Sequence, residues 1–440
     1  MKDSPSSIGH LRGYIASIGL RSASPMLLLA IVSCAFGVAP TPAPSITSAD
    51  SSASLPGTWT VAITQELELP TRMLLHVSKN ADGSLLGAFD DLSDPEQDGP
   101  QHGISVSGQT VSMEIQGGVV QGTLNAEGNE IIGTIKPTGL FSKLLIKATG
   151  NRSEFPLVMH RIDDADLPPR LSSRYYSLNN HRIHYVEVTG SSAARIVFIH
   201  GSPGDAADWN PYLTDPNLRR HATLVAVDRP GFGQSDPGNV VVDLREQARL
   251  LDPVLHPAPA LVSSREPDIT TTQSNPQAPT IVVGWSEGGT LAAELAMDFP
   301  ADVQAALLEA PAIDPAHDGA RWYNHVAGFW PIGKLVSGLM GDSMLWSNQE
   351  ILALEPQLKA MEPRWKSVAV PVVVIQGDAD GLVDPRTADF AERVLPSTGS
   401  VIRVHGADHG VPFTNKALAA LNATLDRLTA STVHTASSGS

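Results

Sequence analysis

Ser286 stands in Gly284-Trp285-Ser286-Glu287-Gly288-Gly289, between the apolar run 280–283 and a stretch of helical character, 288–299. A nucleophile on a sharp strand-to-helix turn needs neighbours almost without side chains, and Gly284 and Gly288 supply them. The helix start behind it favours developing negative charge. Such a serine does acyl chemistry only with a base, an acid that orients the base, and two N–H donors for an oxyanion. His200-Gly201-Ser202-Pro203-Gly204 follows the run 196–199, so the amides of Ser202 and Glu287 are the expected donors, with His200 ordering the loop. The acid is expected after a later strand, where Val372–Ile375 leads into Gly377-Asp378-Ala379-Asp380. The Gly-x-x-Asp spacing favours Asp380; Asp378 is the alternative on the same loop, and Glu309, ending the run 305–308, is another. For the base, Val401–Val404 leads into His405-Gly406-Ala407-Asp408-His409, and His409, farther out on the loop, is preferred to His405. The acidic stretch 378–384 lacks the third acidic position, the glycine and the distal glutamate of an EF-hand, so no metal is expected there.

These residues fall at the ends of apolar runs. After an opening pair of strands, 174–178 and 182–188, buried-type runs at 196–199, 223–227, 280–283, 305–308, 370–375 and 401–404 alternate with loops and helices. That alternation predicts an α/β fold over 170–430, with a mostly parallel sheet covered on both faces and ligands at the carboxyl ends of its strands. Residues 256–279, rich in Pro, Ser and Thr, form an insertion before the nucleophile strand. A helical lid is expected at 312–366. Its Trp322, Trp330, Trp346 and Trp365, with Tyr323 and Phe329, are expected to line an apolar, water-excluding site or to pack the lid onto the body. Glu350, Glu355 and Glu362 are lid carboxylates able to anchor a substrate amine, although such groups are usually solvated.

At 440 residues, the chain exceeds what one core fills, and two domains are the expectation. With 42% hydrophobic and 17% charged residues it can bury substantial cores. Thirty Lys and Arg against 46 Asp and Glu, with no basic stripe, exclude a nucleic-acid partner. Residues 56–160 carry short β-rich runs punctuated by turn signals such as Asn80-Ala81-Asp82-Gly83, which predicts a small all-β domain. His76, His102 and His160 are isolated there, so they read as surface or structural histidines. Ahead of this, 1–33 has Lys2, Arg12 and Arg21, then the apolar run 26–32, the pattern of a signal peptide. Ile31-Val32-Ser33-Cys34 resembles a lipobox, making Cys34, the sole cysteine, the expected lipidation site and 34–55 a flexible tether. The alternative is an ordinary secretory signal cut near Ala39. The expected location is the cell envelope, lipid-anchored and periplasm-facing.

Taken together, the Ser286, His200–Gly204, Asp380 and His409 motifs, with Asp228-Arg229-Pro230-Gly231-Phe232-Gly233-Gln234-Ser235, resemble the α/β-hydrolase superfamily. The resemblance is to its lid-bearing branch with an HGxPG-type oxyanion segment, and the β module resembles domains ahead of some secreted bacterial serine hydrolases. It implies Ser286 as nucleophile, Asp380 as acid, His409 as base, and Ser202 and Glu287 as amide donors. Serine at the nucleophile position separates the chain from the dehalogenase and epoxide-hydrolase branches, which use aspartate. The implied activity is cleavage of a carboxylic ester in a small-molecule acyl substrate through an acyl-enzyme, without cofactor or metal. A prolyl-iminopeptidase-like peptidase and a catalytically silent binding lipoprotein are the alternatives. Glu287 is a departure: a carboxylate beside the nucleophile would weaken an oxyanion hole or bind a cation.

Overall fold

A computed structural model describes residues 54–63, 71–90, 101–115, 118–138, 154–163, 171–190, 194–256, 278–329, 333–334, 337 and 341–437. The signal segment, Cys34 and most of the tether lie outside these residues, as do Trp330, the run 144–147 and most of the insertion 256–279.

The first eight strands close into a barrel in sequence order: β1 (Gly57–Ile63), β2 (Thr71–Lys79), β3 (Leu85–Asp90), β4 (His102–Ser107), β5 (Thr110–Ile115), β6 (Gly118–Leu124), β7 (Glu130–Pro137) and β8 (Phe155–Ile162). Every neighbouring pair is antiparallel, and β1 closes the ring by pairing with β8. The β2–β3 turn is fixed by Asp82, whose carboxylate accepts the Ser84 amide at 2.9 Å, and by Gly83 at φ +87°. Alternate residues point inward, as along β6, where Gly118, Val120, Gly122 and Leu124 are buried. Trp59 fills the interior and satisfies its indole N–H on the Leu55 carbonyl at 3.0 Å. The cavity left among Trp59, Met113, Val120 and Met159 is about 20 Å³, room for about one water molecule, so the interior is packed core. Sequence analysis missed β8; its run 155–162 carries Pro156, His160 and Arg161, a weak alternating pattern.

The second sheet has the order β16-β15-β14-β13-β11-β12-β10-β9. Its strands are β9 (Ser172–Leu178), β10 (His181–Val188), β11 (Arg195–Ile199), β12 (Thr223–Val227), β13 (Thr280–Trp285), β14 (Ala305–Glu309), β15 (Val372–Gly377) and β16 (Ser400–Val404). Strand β10 is antiparallel to both its neighbours, β9 and β12, and β11 to β16 are mutually parallel. Strands β11, β13, β14 and β15 are buried throughout, as continuous apolar runs require when both faces are covered. Among the described residues, the α-helices with both ends defined are α1 (Asn210–Leu213), α2 (Pro216–His221), α3 (Leu244–Leu251), α4 (Glu287–Asp298), α5 (Trp322–Gly328), α6 (Asp342–Met361), α7 (Thr387–Val394) and α8 (Asn415–Ser437). Two apolar clusters cover the two faces. One contains Val282, Leu308, Leu358 and Trp365; the other contains Phe198, Trp209, Tyr212, Trp285 and Leu421. The expected helical lid corresponds to α5 and α6, inserted between β14 and β15.

Candidate active site

Ser286 occupies the turn from β13 into α4 at φ +56° and ψ −123°, a left-handed conformation that a non-glycine residue holds only under constraint. The constraint is visible. The Ser286 amide donates to the Glu309 carbonyl at 2.9 Å, and its own carbonyl accepts the Gly289 amide at 3.0 Å. A Cβ on Gly284 would stand 2.1 Å from the Gly288 carbonyl oxygen, and one on Gly288 would stand 2.3 Å from the carbonyls of Ile199 and His200. The end of β11 therefore crosses directly over the start of α4. This brings the next loop to the serine: a Cβ on Gly201 would lie 3.2 Å from the Ser286 Cβ. Neither the Ser202 nor the Glu287 amide donates a hydrogen bond to another described residue.

His409, on the loop after β16, and Asp380, on the loop after β15, are both buried and joined at 2.8 Å from Nδ1 to Oδ2. Asp380 is held by the Leu382 and Val383 amides on Oδ1, at 2.9 and 3.0 Å, and by Gln376 Nε2 on Oδ2 at 3.1 Å. With its Nδ1 proton on a carboxylate, the neutral imidazole keeps Nε2 as its basic nitrogen. Trp285 locks the histidine to the serine turn, donating its indole N–H to the His409 carbonyl at 2.9 Å while the two rings lie 5.4 Å apart. The two alternatives on these loops, Asp378 and His405, pair with each other instead, at 2.6 Å and in solvent, with His405 96% exposed.

Glu309 is not the carboxylate that His409 meets. It is fully buried and neither carboxyl oxygen has a hydrogen-bond partner, since its backbone at the β14 end is what meets the serine turn. Burial pushes its pKa up to about 8 from an ordinary glutamate value of 4.5. The folded chain then keeps a proton that the unfolded chain releases, so stability falls as pH rises from about 4.5 to 8. Relative to Glu309→Gln, the parent is expected to lose about 3 kcal/mol between pH 5 and pH 8. Urea denaturation of both proteins at the two pH values checks this, and parallel curves would remove Glu309 as the source.

Beneath the serine turn lies a polar network that sequence analysis did not find. Arg229 and Glu350, each without solvent exposure at the side chain, form a two-pronged pair at 3.0 and 2.9 Å. Glu350 also accepts from Gln247 Nε2 at 3.0 Å and from Ser202 Oγ at 2.6 Å, and Arg229 donates to the Gly201 carbonyl at 3.2 Å. His200 orders the same loop: its Nδ1 meets the Gly201 carbonyl at 2.7 Å and its Nε2 accepts the Arg229 amide at 2.9 Å. That bonding needs a neutral ring, and burial, with the Arg229 charge beside it, pulls the His200 pKa down to about 3. Glu287 is buried next to this network. Desolvation, then the Glu350 charge, raises its pKa well above the ordinary range against the pull of Arg229. That favours the neutral carboxyl over the anion expected beside Ser286.

The lid departs from expectation in two respects. Glu350 is neither solvated nor available to a substrate amine, because Arg229 holds it; Glu355 and Glu362 are the exposed ones, Glu355 bonding Lys359 at 2.6 Å. Nor do the lid aromatics form one lining. Trp365 is buried in the core below the sheet, Trp346 packs edge-on to Phe232 at 6.2 Å, and Trp322 and Phe329 are 60% and 65% exposed.

A model of the alpha/beta hydrolase family matches residues 196–424, more than half of the chain. The chain belongs to the α/β-hydrolase family. Pimeloyl-[acyl-carrier protein] methyl ester esterase of Proteus mirabilis is 27% identical over 235 residues, which is 50% of this hydrolase chain and 77% of that protein. The same esterase from Cronobacter sakazakii is 28% identical over 51% of this chain and 78% of its own. Among solved structures, the carboxylesterase CesB from Bacillus subtilis gives a TM-score of 0.41 at 16% identity, covering 58% of this hydrolase and 91% of that chain.

Proposed function

We propose that the protein is a serine hydrolase that cleaves a carboxylic ester of a small acyl substrate by an acyl-enzyme mechanism. The observation that carries this reading is the strained Ser286 turn joined through Trp285 to the buried His409–Asp380 pair. In the mechanism Ser286 Oγ attacks the acyl carbonyl as His409 Nε2 takes its proton, and Asp380 fixes the tautomer and steadies the imidazolium. The Ser202 and Glu287 amides receive the oxyanion, at a helix start that favours negative charge. His409 returns the proton to the leaving alcohol, and water, activated by the same imidazole, hydrolyses the acyl-enzyme. The sequence relatives named as methyl ester esterases support an ester rather than an amide substrate. The peptidase reading loses its principal amine anchor, since Glu350 is engaged by Arg229.

The proposal keeps the reading of 1–33 as a lipoprotein-type signal, with Cys34 carrying a lipid anchor at the periplasm-facing cell envelope. No helix of the described residues is long and apolar enough to cross a membrane. The test is hydrolysis of p-nitrophenyl acetate through octanoate by the parent and by Ser286→Ala. Turnover is expected in the parent and abolished in the variant. Absence of turnover in both, with no fluorophosphonate labelling of Ser286, would replace the enzyme by the binding-lipoprotein reading.

A further inference from the structure

Trp322, Val326 and Phe329, at i, i+4 and i+7 on α5 and its C-terminal residue, occupy one helical face and are 60%, 42% and 65% exposed. The opposite side of α5 is fixed: Asn324 is buried and bonds Asn348 of α6 at 2.9 Å, and the Asn348 amide returns to the Asn324 carbonyl at 3.0 Å. Leu382, 40% exposed, adjoins this face, because Arg321 donates to its carbonyl at 3.2 Å. Four large apolar residues are thus held outward on rigid supports, an arrangement that marks an interaction surface.

The charge around the face identifies its partner. The chain as a whole carries −16, yet the sequence has no aspartate or glutamate between Gly319 and Gly341. Exposed Arg321, His325 and Lys334 stand in that stretch instead. Outward Trp, Val and Phe on a stretch that carries three basic side chains and no carboxylate match the interfacial zone of a phospholipid bilayer, where indole and phenyl rings enter the headgroup boundary and cations meet phosphates.

We propose that the outer face of α5, Trp322, Val326 and Phe329 with Leu382, docks the protein on a phospholipid bilayer independently of any lipid on Cys34. The supports of this face lead to the proposed site. Asn324 is tied to α6, whose Glu350 bonds Ser202, and Leu382 lies on the Asp380 loop. The inference uses no catalytic assignment and stands or falls apart from the serine mechanism.

The test uses the full chain carrying Cys34→Ala, which removes both the anchor and the sole native thiol, so that one added cysteine takes an environment-sensitive nitrobenzoxadiazole label. On vesicles of equimolar phosphatidylcholine and phosphatidylglycerol, label at Phe329→Cys is expected to shift to the blue. Label at Ile132→Cys, 58% exposed on the barrel, is expected not to shift. Trp322→Ser with Phe329→Ser should weaken vesicle partitioning about tenfold or more, with hydrolysis of a water-soluble ester unchanged. Absence of the shift at Phe329→Cys overturns the proposal, whether or not the protein sediments with the vesicles. So does a shift that appears without vesicles and grows with protein concentration, which would assign the face to a second copy of the chain.

Discussion

Asp380→Asn is expected to lower kcat for ester hydrolysis by about ten-thousand-fold while the protein stays folded. Asp380 Oδ2 accepts the Nδ1 proton of His409 at 2.8 Å, which in the proposed mechanism keeps Nε2 free to take a proton from Ser286. An asparagine can leave its carbonyl on the Leu382 and Val383 amides and turn its NH2 toward Nδ1. The imidazole would then carry its proton on Nε2 and cease to be a base toward the serine. Folding tolerates the change because Gln376, whose Oε1 is buried without a partner, can reverse its amide and accept what it formerly donated to. Single-turnover kinetics with a p-nitrophenyl ester and a thermal melt provide the two readouts. A loss below tenfold in a folded variant would show that something other than Asp380 orients His409.

The second large effect is on stability. Glu350→Ala is expected to cost about 3–5 kcal/mol of unfolding free energy, since it strands the fully buried Arg229 guanidinium. It also strands donors from Gln247 and Ser202. The double variant Arg229→Met with Glu350→Leu should cost much less than the single, because it deletes both charges together and leaves comparable volume. Urea denaturation of the parent, both singles and the double gives the coupling directly. A double variant as unstable as Glu350→Ala would locate the stabilisation in packing rather than in charge. Glu287 should report the same loss: without the Glu350 charge, its carboxyl is freed of the repulsion that adds to burial in holding its proton.

What the sequence made legible was local. The Ser286 turn needs glycines at fixed offsets, and the chain order of Ser286, Asp380 and His409 follows strands whose apolar runs are continuous; both signals sit within a few residues of the feature they predict. The network under the turn was illegible because it joins residues far apart in sequence: Arg229 and Glu350 are separated by 121 positions and meet only when the lid folds back. A glutamate on a helix reads as a solvated charge unless its partner is known. The lid aromatics failed for a related reason. Composition reveals that tryptophans gather between Pro311 and Lys366 but not which face of α5 or α6 each occupies, so Trp365 went to the core and Trp322 to the outside. Strand β8 escaped because its pattern is interrupted and one of its two pairing partners is β1, about a hundred residues earlier.

The closed barrel, finally, leaves no unpaired backbone edge with which to extend the neighbouring sheet. Among the described residues its hold on the α/β domain rests on side chains, above all Leu74 of β2, buried in the cluster of Trp209 and Tyr212, with Ile162 beside it. Burying a leucine contributes roughly 2 kcal/mol. Such a junction acts as a dowel rather than a weld: it sets where one unit stands on the other, yet is small beside the free energy with which each core holds itself together. Calorimetry of the chain should accordingly resolve two transitions, and Leu74→Ala should draw them apart without abolishing either.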